Sequence, residues 1–133
     1  MLPGRRPPND YLGTVLGTPD PPGLAHFYAE VLGWRIHSSE EDWATIAPEK
    51  EHVYLAFQLE EDHVRPVWPA GPGDQQMQMH LDIEVSDLEA AVAAAVRLGG
   101  ARADHQPQDD VRVMTDPAGH PFCLYVSPRE EET

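Results

Sequence analysis

The residues best able to do chemistry are His80 and Asp82, two positions apart, Cys123 near the C-terminus, and Gln58 in the first half. An imidazole can ligate a metal or take a proton. A carboxylate two residues on lies on the same face of a strand and can orient it. A thiolate is a soft donor suited to zinc rather than to magnesium or manganese, and an amide oxygen is a weak neutral one. The plain alternatives are a pocket-wall histidine hydrogen-bonded to a neighbour and a small buried thiol. No positive charge lies near Cys123 in sequence to lower its pKa, so little thiol chemistry is expected. Tyr54, Trp68 and Trp43 offer flat faces to a planar ligand, and aromatics of this kind also serve as core or rim. Trp68 is the strongest of the three, because its proline-bounded segment could fold over a cavity mouth. Arg65 beside it could meet an anionic ligand, or more simply pair with Glu60, Glu61 and Asp62. No glycine-rich phosphate loop, Ser-His-Asp ordering or Cys-x-x-Cys pair occurs.

These side chains need elements to hold them. A strand over 11–18 precedes Asp20-Pro21, an N-cap with proline in the first turn, and a helix whose stripe is Leu24, Phe27, Tyr28, Val31 and Leu32. Gly33 stops it. Strands follow over 34–38, 43–47 and 53–59. The order then repeats: a strand over 79–85, Ser86 as N-cap with Glu89 as capping-box partner, and a helix with Leu88, Val92, Ala95, Val96 and Leu98 as its stripe. Gly99-Gly100 ends this helix, and strands follow over 101–104, 111–115 and 121–126. One constant shift lays Ser86 on Asp20 and Gly99 on Gly33. Between the halves, 60–78 is long, acidic and broken by prolines and glycines, as a linker or a flap over a site is.

Strand phase points Leu55, Phe57 and Leu59 one way and Tyr54 and Gln58 the other. Leu81, Ile83 and Val85 likewise oppose His80 and Asp82, and Phe122, Leu124 and Val126 oppose Cys123 and Tyr125. Ligand-binding residues are therefore expected at Tyr54, Gln58, Trp68, His80, Asp82, Cys123 and Tyr125. His80 and Gln58 are the candidates for catalysis.

The chain has 133 residues, enough for one domain with a core, and its net charge of -14 argues against nucleic acid and anionic membranes. A single cysteine excludes an intrachain disulfide, and no apolar run follows the N-terminal arginines, so a cytoplasmic protein is expected. The first ten residues and the tail 128–133 read as solvated, disordered ends.

His80-Leu-Asp82 and Asp116-Pro-Ala-Gly-His-Pro-Phe-Cys-Leu124, with Phe57-Gln58 and Pro66-Val-Trp-Pro69, resemble the vicinal oxygen chelate superfamily over about 12–126. That superfamily includes glyoxalase I, bleomycin-resistance proteins and extradiol dioxygenases, and the motifs are nearest its small bacterial glyoxalase-like branch. The resemblance implies an α+β fold of two βαβββ modules forming an open, cupped mixed sheet around a central cavity, helices outside. Module one would span 11–59, a linker 60–78 and module two 79–127, together a single domain. Members are often homodimers. Metal-dependent members place ligands at four positions that read here Gly13, Gln58, His80 and Cys123. Only His80 is of the usual type, so the inherited site is degraded; a divalent metal, if held, would fall to His80 with Gln58 and Cys123. The expected function is small-molecule binding, sequestering or processing a small ligand, an aromatic one among the candidates, with no cofactor firmly implied beyond that divalent metal. The alternative is a metal-dependent lyase, isomerase or dioxygenase using His80.

Overall fold

The computed structural model describes residues 1–127; the acidic tail at 128–133 lies outside them. The chain forms two compact units, 1–63 and 64–133. In the first, β1 (Leu12–Thr18) leads to α1 (Pro21–Leu32) and then to β2 (Arg35–Ser39), β3 (Trp43–Ala47) and β4 (Val53–Leu59). Asp20 caps α1 by accepting from the Gly23 backbone N–H, and Pro21 occupies the first turn where no donor is needed. Gly33 closes the helix at φ 69, a left-handed conformation that favours glycine. The sheet order is β1-β4-β3-β2, with β1 and β4 parallel and the other pairs antiparallel. Leu24, Phe27 and Tyr28 of α1 are buried with Ile46, Leu55 and Phe57 of the sheet, and the Tyr28 and Phe57 rings stack at 5.9 Å. The sheet side chains named here come from one face, the face on which α1 packs.

The second unit repeats the plan with β5 (Leu81–Glu84), α2 (Leu88–Arg97), β6 (Ala101–Arg102), β7 (Val111–Thr115) and β8 (Pro121–Tyr125), in the order β5-β8-β7-β6. Both halves are thus βαβββ modules with four-stranded mixed sheets, and the fold class is α+β as the motifs imply. β5 is shorter than expected, because Met79 and His80 precede the ladder. The cap of α2 is Asp87, one residue beyond Ser86: its carboxylate accepts from the Ala90 N–H. Both residue types cap well, and the position whose side chain reaches the third N–H wins. Val92 and Ala95 are buried, whereas Val96 and Leu98 remain substantially exposed, so the apolar stripe is narrower than its periodicity suggests. Arg112, on the helix side of β7, reaches Glu89 of α2 at 3.7 Å. No helix among the described residues is long and apolar enough to cross a membrane.

The first ten residues are held by local contacts. Arg6 pairs with Asp10 at 3.0 Å, and Arg5 donates to the Tyr11 carbonyl at 2.9 Å. In the segment that follows the first module, Arg65 donates to the Pro117 carbonyl at 2.6 Å instead of meeting a carboxylate, which ties this segment to the turn between β7 and β8. That turn is built on buried Asp116, whose carboxylate accepts from the N–H groups of Ala118 and His120. His120 accordingly has the structural place expected of it.

Candidate functional site

In the second unit the β5–β8 register sets Asp82 directly opposite Cys123. His80, one side-chain period before Asp82, comes to the same face, and its Nε2 lies 3.1 Å from Asp82 Oδ1. The Cys123 thiol also hydrogen-bonds the Asp82 carboxylate. Asp82 is therefore the hub, and one donor atom from each of the three residues lies within 4.8 Å of the others. His80 and Asp82 are exposed while Cys123 is half-buried. Burial pushes the Cys123 thiol up, and the charge of Asp82 and its hydrogen bond push it further in the same direction. The sulfur is thus held as a thiol, which suits packing and weak hydrogen bonding rather than nucleophilic attack.

The same face of the first unit is built differently. β1 and β4 pair at the same sequence separation as β5 and β8: Gly13 stands opposite Tyr54 as His80 would stand opposite Pro121. One constant shift therefore carries Gly13 onto His80, Val15 onto Asp82, Ala56 onto Cys123 and the cap Asp20 onto Asp87. None of Gly13, Val15 and Ala56 offers a donor. On this register Gln58 corresponds to Tyr125, not to Cys123, and its amide donates to Glu60 at 2.8 Å. In place of a donor, the Tyr54 ring lies across Gly13 so closely that a Cβ there would overlap it. Only glycine leaves room for that ring.

Around Tyr54 the sheet face forms an apolar hollow of about 360 Å³. Trp43 and Thr45 enter it because β3 pairs with β4 through Trp43 opposite Gln58 and Thr45 opposite Ala56. Tyr11 completes the wall, its ring 6.3 Å from that of Tyr54 and edge-on to His52 at 5.0 Å. His37 reaches the hollow from β2, where a register shift between Ile36 and Ser38 re-aims the chain. Of the expected site residues, Tyr54 lies in this hollow, Gln58 lines a neighbouring acidic one, and His80, Asp82 and Cys123 form the cluster. Tyr125 follows Cys123 by two positions on β8 and shares its face. Trp68 packs on His105 at 5.4 Å in the second unit. Tyr11, His37 and Thr45 were not legible as site residues; once the β3–β4 register is known, alternation also selects Trp43.

The donor set allows a test for the metal that the resemblance implies. Imidazole nitrogen, carboxylate oxygen and sulfur suit a zinc-type ion, which takes such ligands at about 2.0–2.3 Å in a tetrahedron. The spacing within the cluster is compatible with that after small side-chain rotations, so His80, Asp82 and Cys123 fit such an ion. Of the four places read from the resemblance, Gly13 carries no side-chain donor, and Gln58 would offer only a weak, neutral amide oxygen.

Among known proteins, the model of a glyoxalase-like domain matches residues 13–125. A glyoxalase/bleomycin resistance protein/dioxygenase family enzyme from Burkholderia phytofirmans PsJN is similar in structure, with a TM-score of 0.65 at 15% identity over 88% of this chain and 98% of that one. The bleomycin-binding protein of Streptomyces verticillus, solved with copper(II)-bleomycin, gives 0.56 at 20% identity over 88% and 95%. An antibiotic-binding protein from Streptomyces sp. CB03234 gives 0.52 at 17% identity over 89% and 97%. No curated protein matches the chain. The domain match spans both βαβββ modules, and the chain belongs to the glyoxalase-like family of the vicinal oxygen chelate superfamily.

Proposed function

We propose that this protein binds a small, flat, largely apolar molecule on the face of its first sheet opposite α1 and holds it without a metal. The observation that carries this is the Tyr54 ring laid over Gly13: where the second module has His80, the first has an aromatic floor, walled by Tyr11 and Trp43. A hollow of about 360 Å³ is within the range of small-molecule sites, and apolar walls with few polar groups are their usual lining. The bleomycin-binding and antibiotic-binding relatives support a sequestering role. Of the remaining expected residues, Gln58 then serves as a polar neighbour of the bound molecule at the adjoining hollow. We infer further a cytoplasmic homodimer of single-domain chains, which analytical ultracentrifugation would report as twice the chain mass. Titration with a panel of planar aromatics, followed by Trp fluorescence, tests the binding role. Trp43→Leu and Tyr54→Ala should each weaken binding about ten-fold or more, in line with truncated aromatic anchors. Folded variants that bind as tightly as the wild type would refute it.

A second role is favoured by one specific observation, the His80, Asp82 and Cys123 cluster. As a metal-dependent lyase, isomerase or dioxygenase, the protein would use these three side chains to hold a divalent ion, which when bound supplies Lewis acidity. Asp82 would fix the imidazole of His80 through their 3.1 Å contact, and Cys123 would have to release its proton to bind. Metal analysis of the purified protein decides: near-stoichiometric zinc that is lost in Cys123→Ser supports this role, and its absence after growth in zinc-supplemented medium excludes it.

A further inference from the structure

Two hollows on the first unit share a residue. Trp43 lines the aromatic one, with Tyr11 and Tyr54, and also the adjoining one, which is bordered by Asp42, Glu60, Glu61 and Asp62. Among the described residues lining the two there is no lysine or arginine. We propose that the ligand is an organic cation: a flat apolar body seated among Tyr11, Trp43 and Tyr54, carrying an ammonium or similar group toward the Asp42 and Glu60–Asp62 rim. This rests on the binding role assigned above and adds the ligand's charge.

Two independent features favour that sign. The faces of Trp and Tyr rings carry negative potential, so three such rings around one hollow attract a cation that also has apolar bulk. The rim adds four carboxylates around the hollow that shares Trp43, and Gln58 engages only Glu60 of them through its side-chain amide. An anionic ligand would meet repulsion from this rim with no arginine or lysine of the lining to answer it. A neutral one would gain the stacking alone. The excess of acidic residues over the whole chain, -14 in net charge, extends the same field and draws cations toward the mouth.

Three naphthalene probes with the same ring system separate the terms: (2-naphthylmethyl)trimethylammonium, 2-naphthalenemethanol and 2-naphthoate, titrated calorimetrically against the full chain. The ammonium should bind about ten-fold tighter than the alcohol, and the carboxylate most weakly. Raising salt to about 0.5 M should shrink the ammonium's advantage. The Asp42→Asn, Glu61→Gln, Asp62→Asn variant should bring the ammonium's affinity close to the alcohol's. Equal affinity of ammonium and alcohol in the wild type overturns the cation assignment and leaves the aromatic pocket standing. Failure of all three probes to bind overturns both.

Discussion

Asp82 decides what its neighbours can do. It lies 3.1 Å from His80 Nε2 and accepts from the Cys123 thiol, so a carboxylate sits beside the imidazole while the sulfur keeps its proton. Alkylation of Cys123 by iodoacetamide should therefore need a higher pH than that of a free cysteine. Asp82→Asn should move the profile partway back, because burial, the largest cause of the shift, remains. The sign for stability follows. The folded pKa is raised, so Cys123's contribution is complete below the ordinary cysteine value and is lost as pH rises above it, where the unfolded chain ionises first. Denaturant midpoints measured from neutral to alkaline pH should fall less in Cys123→Ser than in the wild type. At Gly13 the prediction is steric: Gly13→Ala collides with the Tyr54 ring and should cost about 1–3 kcal/mol or expel the ring, weakening aromatic ligands in either case. Denaturation and probe binding measured on the same variant report both effects. His80, Asp82 and Cys123 were all legible as candidates from type and phase, since alternation needs only the strand. The role of Gly13 was not, because a close approach between strands leaves no mark on either strand's own pattern.

At the scale of elements, the two helices show how local chemistry sets boundaries. Asp20 and Asp87 each satisfy an orphan N–H of the first turn, so Asp20→Ala and Asp87→Ala should each cost about 1 kcal/mol in chemical denaturation. Ser86→Ala should cost little, which distinguishes the observed cap from the capping box that the sequence suggests. Phe57 is fully buried against Tyr28, and Phe57→Ala should cost about 3–5 kcal/mol by the same measurement. Strands β3 and β4 were legible to the residue, because alternation and flanking turn residues bound them on both sides. β5 was overextended at both ends: apolar alternation continues past the ladder, and hydrogen bonding to β8 ends it. The bulge that brings His37 to the hollow depends on pairing between β2 and β3 and is invisible in β2 alone.

At the scale of the molecule, charge and repetition dominate. With 23 acidic residues against 9 basic ones, self-repulsion opposes folding, so moderate salt should raise the melting temperature at neutral pH through screening. A melting temperature that is flat or falling between low salt and about 0.2 M would contradict this. The chain by itself determined its helices, the cap of α1, the repeat of the βαβββ plan and the family motif, because all of these rest on interactions between residues close in sequence. Tertiary structure alone decided the pairing of β1 with β4 and of β5 with β8. That register puts Tyr54 over Gly13 in one module and Asp82 between His80 and Cys123 in the other. Register is a contact between distant segments, and a slip of one residue reverses every side chain. Two modules written alike could therefore arrive at an aromatic hollow and a donor cluster on equivalent faces, and only the folded chain tells which is which.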